Sequence, residues 1–187
     1  MEVGVLALQG DYREHLATLA SLGAEAVAVR TEDEIRKLDG LVVPGGESTA
    51  MSNLAKSFGL FPVLRKFAKS KPILGTCAGL IMLADRVEGA VKGQEFIGGL
   101  DVSVSRNAYG GQTHSFEAEI DFEGKKERVA FIRAPRILAV GSAKVIATLK
   151  DEPVAVQQGN LIGATFHPEI TSGVLLHKKF LDFVSKG

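Results

Sequence analysis

A chain of 187 residues with 45% apolar side chains has material for one well-packed domain and is short for two. Its 22 basic and 22 acidic residues cancel to a net charge of zero, which provides no general electrostatic reason to bind nucleic acid or an anionic membrane. A single cysteine excludes an intramolecular disulfide and leaves a cysteine-based zinc site without partners.

The opening run VGVLAL (3–8) lacks a basic leader and a cleavage site and reads as a buried strand. No segment approaches the ~20 apolar residues of a membrane span, so a soluble, cytoplasmic protein is expected. A helix follows, with Leu16, Leu19, Ala20 and Gly23 at helical spacing, Asp11 as its N-cap and Gly23 as its terminator. EAVAVR (25–30) is a second strand, and a short charged helix runs from Glu34 to Leu38. GLVVPGG (40–46) is a third strand ending in a tight turn, and STAMSNLAKSFG begins another helix. KPILGTC (71–77) is a fourth strand, followed directly by the apolar helix AGLIMLA. Strands alternating with helices predict βαβ units and a mainly parallel sheet covered on both faces.

The second half changes character. Short alternating runs are separated by turn signals at Glu123-Gly124, Asp151-Glu152-Pro153 and Gly159-Asn160, which predict antiparallel strands that extend the sheet or form a second layer. A last helix spans about Ser172 to Val184. The expected architecture is a single α/β domain over 1–187, three layers deep, with antiparallel strands in its second half.

In such a sheet, ligands sit at the carboxyl ends of the parallel strands. Cys77 falls at such an end, in the spacing G-x-C-x-G. Small residues two before and two after a nucleophile permit a sharp strand-to-helix turn that lifts its side chain out of the sheet. The following helix aims N-terminal amides and a positive dipole end at the sulfur. The same pattern also suits a structural cysteine in a glycine-containing βα turn.

A thiol nucleophile needs a base. His15, His114 and His177 read as surface imidazoles among polar residues or in a loop. His167 ends the run NLIGATF and is followed by Pro168 and Glu169, so it too falls at a strand end. Alone, H-P-E is a polar loop; beside an elbow cysteine it completes a Cys-His-Glu set for acyl transfer, with Glu169 orienting the imidazole. The oxyanion of acyl transfer needs preorganised donors. The amide of Ala78 is one candidate, and VVPGGES (42–48) offers the amides of Gly45 or Gly46. Glu47 and Ser48 either touch substrate or cap the next helix.

LQGDYREH, PGGEST, GTCAGL, RNAYG, SFEA, FIRAP and FHPE occur in that order between residues 8 and 169. Together they resemble the class I (triad) glutamine amidotransferases, and among these the glutaminase subunits of pyridoxal 5′-phosphate synthases. The resemblance implies hydrolysis of L-glutamine to glutamate and ammonia. It implies Cys77 as the nucleophile that forms a γ-glutamyl thioester, His167 as its base and Glu169 as the group that orients His167. It further implies glutamine binding by Gly46, Glu47, Ser48, Arg106, Ile132 and Arg133, with Gly46 also near the oxyanion, where the Ala78 amide is already a candidate. Arg106 suits the carboxylate and Glu47 the ammonium of a free amino acid.

The implied partner is a (β/α)8-barrel synthase subunit in a heteromeric complex, which consumes the ammonia and on which glutaminase activity depends. Pyridoxal 5′-phosphate is then a product of the complex, and no cofactor or metal is expected here. Two other readings are a glutaminase serving a different amidotransferase, against which RNAYG and FIRAP argue, and a noncatalytic regulatory protein, which the intact Cys77, His167 and Glu169 disfavour.

Overall fold

The computed structural model describes residues 1–106 and 115–186. The parallel part of its sheet is built from short apolar runs. β1 (Glu2–Leu6), β2 (Glu25–Val29), β3 (Gly40–Val43), β4 (Ile73–Thr76) and β12 (Leu161–Ala164) pair in parallel in the order β2-β1-β3-β4-β12. Beyond β12 the sheet continues antiparallel through β11 (Glu152–Gln158), β10 (Lys144–Leu149), β7 (Phe116–Phe122) and β8 (Lys125–Phe131), giving nine strands among the described residues. β5 (Ala84–Glu88), β6 (Leu100–Ser105) and β9 (Arg136–Val140) form a separate three-stranded sheet. The second half therefore does both things its sequence allowed: it extends the main sheet and adds a second layer.

Helices cover the two faces of the sheet. On one side α1 (Tyr12–Ser21) and α6 (Leu175–Val184) set Leu19, Leu176, Phe180 and Val184 against Val3, Val5, Val42 and Leu74. On the other, α2 (Glu32–Lys37), α3 (Ser48–Ser57), α4 (Phe61–Ala68) and α5 (Ala78–Leu83) pack with the small sheet around Leu41, Val43, Leu64, Leu80, Leu83 and Val102. Such burial, at ~25 cal/mol per Å² of apolar surface, is the main favourable term holding the layers together. Among the described residues no helix is long and apolar enough to cross a membrane.

α4, β5 and β9 escaped the sequence reading. α4 carries a Pro at its start and follows α3 after only a short turn, so the two read as one irregular stretch. β5 begins at the residue after α5, and its burial is too patchy to announce a strand. Asp11 occupies the N-cap position of α1 but makes no side-chain capping hydrogen bond. Its carboxylate is engaged elsewhere.

Candidate active site

β4 and β12 are neighbours in register, with Gly75 opposite Gly163 and Thr76 opposite Ala164. The chain leaves β4 at Cys77 and leaves β12 toward His167, so two side chains 90 positions apart in sequence meet at one sheet edge. Cys77 has φ 49° and donates its backbone N–H to the Ala164 carbonyl at 2.8 Å. A positive φ at a non-glycine residue is a strained turn held by its surroundings. The glycines around it make that turn possible by close approach. A side chain at Gly79 would run into the Val43 carbonyl, and one at Gly75 into the backbone of Gly79.

His167 is fixed from its backbone, which donates to the Ala130 carbonyl at 2.7 Å and so ties the end of β8 to the site. Pro168–Ile170 then form a single 3-10 turn that brings Glu169 back to its histidine. The Nδ1 of His167 is 2.8 Å from Glu169 Oε1 and 3.3 Å from Asp11 Oδ2. Its Nε2 is buried without a hydrogen bond. Cys77, His167 and Glu169 are all buried, and the Cys77 thiol points to the Ile132 carbonyl at 3.9 Å.

The charges follow from this packing. Burial opposes a charge on His167, but Asp11, Cys77 and Glu169 together push its pKa up to about 12. Burial pushes Glu169 up, with His167 pulling the other way. The hydrogen bond to His167 holds Asp11 below the usual carboxylate range. The site thus favours an imidazolium between two carboxylates, with a sulfur on its other side. The donor atoms of Asp11, His167 and Glu169 lie within 4.8 Å of one another, a spacing that also suits a cation. With the ring protonated, however, Nδ1 donates to the carboxylates and is no metal ligand.

The turn after β3 approaches from the other side. Gly45 leaves no room for a side chain beside His167 and Asp11, and its carbonyl accepts from the Asp11 N–H at 3.3 Å. Gln9 brackets Glu47, accepting from its N–H at 3.3 Å and donating to its carbonyl at 3.2 Å. Glu47 caps α3 through the amides of Thr49 (2.9 Å) and Ala50 (2.7 Å). Burial works against its charge, but those amides and Arg106 hold its pKa down. The Arg106 guanidinium donates to Glu47 and Thr49, each at 2.8 Å, and to Gln94 at 2.9 Å. Gln94 also donates to Ser48 Oγ at 3.3 Å. Glu47, Ser48 and Arg106 therefore form one connected network. Ile132 and Arg133 follow β8, and Arg133 holds a positive φ of 45° beside the carbonyl that meets Cys77. Ala78 opens α5, where first-turn amides lack intrahelical partners.

The surface reading of two histidines is corrected. His15 and His177 are both fully buried. Helical spacing puts His177 on the same stripe as Phe180 and Val184, and His15 on that of Leu19, so each faces the sheet despite its polar neighbours. His114 lies outside the described residues, as do the last four residues of RNAYG. Gln9, Gln94, and Asp11 as a partner of His167 were not singled out from the sequence. The available signal was position: Gln9 and Asp11 follow a parallel strand at its carboxyl end, where the site had to be.

Residues 5–186 match the model of the SNO glutamine amidotransferase family. The chain is 48% identical over 193 residues to "Pyridoxal 5′-phosphate synthase subunit PdxT" of Nocardioides sp., covering 98% of this chain and 96% of that protein. It is 50% identical to the subunit of the same name from Leifsonia xyli, covering 96% and 93%. A solved glutamine amidotransferase superposes with a TM-score of 0.92 at 43% identity over 98% of each chain. PurLQS of Thermotoga maritima shares the fold, with a TM-score of 0.72 at 16% identity and 98% of each chain covered.

Proposed function

The chain belongs to the SNO glutamine amidotransferase family, and on that premise we propose that it is the glutaminase subunit of a pyridoxal 5′-phosphate synthase. It hydrolyses L-glutamine to L-glutamate and ammonia. The observation that carries the reading is a buried thiol beside an imidazole held protonated by two carboxylates at one sheet edge.

The chemistry uses the chain's own groups. Cys77 attacks the γ-carbonyl carbon as thiolate, and the carbonyl π electrons move to oxygen. The amides of Ala78 and Gly46 face that oxyanion. As the tetrahedral adduct collapses, the C–N bond breaks and His167 gives its proton to the departing nitrogen, which leaves as ammonia. The γ-glutamyl thioester remains on Cys77. His167, now neutral, takes a proton from water, the resulting hydroxide displaces the thiolate, and glutamate departs with His167 protonated again. Glu169 keeps the ring oriented and compensates its charge.

Gly46, Glu47, Ser48, Arg106, Ile132 and Arg133 hold the glutamine. The acid–base pair Glu47–Arg106 complements a zwitterion, and the network through Gln94 keeps the 45–49 turn in register with Cys77. The ammonia passes to a barrel-shaped synthase subunit in a heteromeric complex, since ammonia released to bulk water would be protonated and lost. The cytoplasm is the compartment that fits the composition. Ammonia release from glutamine, measured with and without that synthase, tests the assignment. Strong stimulation by the synthase supports it, and absence of release in either condition contradicts it.

A further inference from the structure

Behind Glu169 lies a buried polar chain that the hydrolysis above does not use. His177 Nε2 is 2.9 Å from His15 Nδ1. His15 Nε2 is 3.0 Å from the hydroxyl of Thr76, the residue before the nucleophile, and 3.4 Å from Glu169 Oε2. His15, His177 and Thr76 are each fully buried. α1 supplies His15, β4 supplies Thr76 and α6 supplies His177, so three elements meet at the His15 ring, which alone of the three reaches the carboxylate.

The heavy atoms favour one placement of the protons. Glu169 Oε2 and His177 Nδ1 are buried without a hydrogen bond. If His15 carried its proton on Nδ1, it would donate to His177. His177 would then bury an unpaired N–H, and a bare His15 Nε2 would face the carboxylate. With the proton on His15 Nε2, an N–H faces Glu169 and Thr76 instead, His177 donates to His15, and only an acceptor is left unpaired at His177 Nδ1. The second arrangement avoids both penalties. Burial lowers the pKa of both rings, so they enter the chain neutral. The charged or titratable groups around the pair are Glu169 and, beyond it, His167 and Asp11.

We infer that His15 is a positioning residue for the glutaminase reaction, with His177 fixing its tautomer so that the His15 Nε2–H backs the second oxygen of Glu169. Glu169 Oε1 is committed to His167, and burial favours protonation of the carboxyl. An N–H aimed at Oε2 counters that tendency and keeps Glu169 ionised when His167 must be an imidazolium. Thr76 serves as the resting acceptor, so the same N–H can swing between the hydroxyl beside Cys77 and the carboxylate. This rests on the glutaminase reading for its kinetic consequence, but not for its proton placement.

The test has two arms. Nitrogen-15 NMR of the wild-type chain near neutral pH should find both buried histidines neutral and protonated on Nε2; a His15 protonated on Nδ1 overturns the inference whatever the enzyme does. Kinetics of the complex with its synthase then compare Gln with Met at each position. Gln can keep a donor where Nε2 stood, and Met fills the volume without one. H15Q and H177Q should retain more kcat than H15M and H177M. The Met variants should fall by roughly ten- to a hundredfold, the worth of a hydrogen bond to an ionised group. KM should change little, and the acid limb of Cys77 alkylation should move to higher pH. Met variants as active as Gln, or a loss of activity with the alkylation profile unmoved, would assign the pair to packing alone. A wild-type complex that releases no ammonia would instead sink the functional reading and leave the NMR result standing.

Discussion

Asp11 Oδ2 stands 3.3 Å from His167 Nδ1, so the ring nitrogen that Glu169 holds is shared with a second carboxylate. Asp11 occupies a helix N-cap position, yet its side chain makes no capping bond and is used on the site. Asp11→Asn keeps the volume and removes the charge. The alkaline limb of the ammonia-release profile should move to lower pH, and kcat/KM should drop several-fold near neutrality. Thermal stability should also fall near neutrality, because Asp11 is one of the groups that raise the His167 pKa, although no helix cap is lost. An unmoved profile would take Asp11 out of the site.

Glu47 has two separable tasks, capping α3 and meeting Arg106. Glu47→Ala should lose both, costing about 1 kcal/mol of stability for the cap and raising KM for glutamine. Glu47→Gln keeps an acceptor for the amides but no charge for Arg106. It should melt close to wild type while still raising KM. Wild-type KM in both variants would remove Glu47 from substrate binding.

The buried histidines give stability a sign with pH. Burial pushes His177 down to about 4 from its ordinary 6.5, so the unfolded chain takes up this proton before the fold does. The contribution is complete above 6.5 and is lost as pH falls from 6.5 to 4; His15 acts with the same sign. His167 has the opposite sign: its pKa is raised to about 12, so its contribution is complete below 6.5 and lost as pH climbs toward 12. Tm measured against pH should therefore fall on both sides of neutrality. His177→Gln should flatten the acid side, and an acid limb unchanged in that variant would count against the assignment.

A chloroketone analogue of glutamine should alkylate Cys77, and excess glutamine should block it. Peptide mapping reads the site directly, because the chain holds one cysteine. Labelling at the same rate with and without glutamine would mean that the thiol does not share a pocket with the substrate.

The parallel half of the fold was legible because buried strands and amphipathic helices alternate with periods that sequence displays. Cys77, His167 and Glu169 stood out for the same reason, since each follows a strand at the edge where ligands sit in such sheets. The strand register that brings Cys77 and His167 together is a tertiary fact, and no local pattern announces it. His15 and His177 were misread because neighbouring lysines and glutamates describe the exposed face of a helix, whereas their own spacing assigns them to the buried one. Gln9 and Gln94 act by bracing a turn remote in sequence, and a lone amide carries no sign of that. Substrate identity came from motif resemblance; the elbow alone stops at acyl transfer.

Whether glutamine hydrolysis runs through Cys77 is decided by ammonia release from Cys77→Ala in the presence of the synthase. The variant should be folded and release no ammonia above the uncatalysed background. Turnover well above that background in the folded variant would contradict the thioester route.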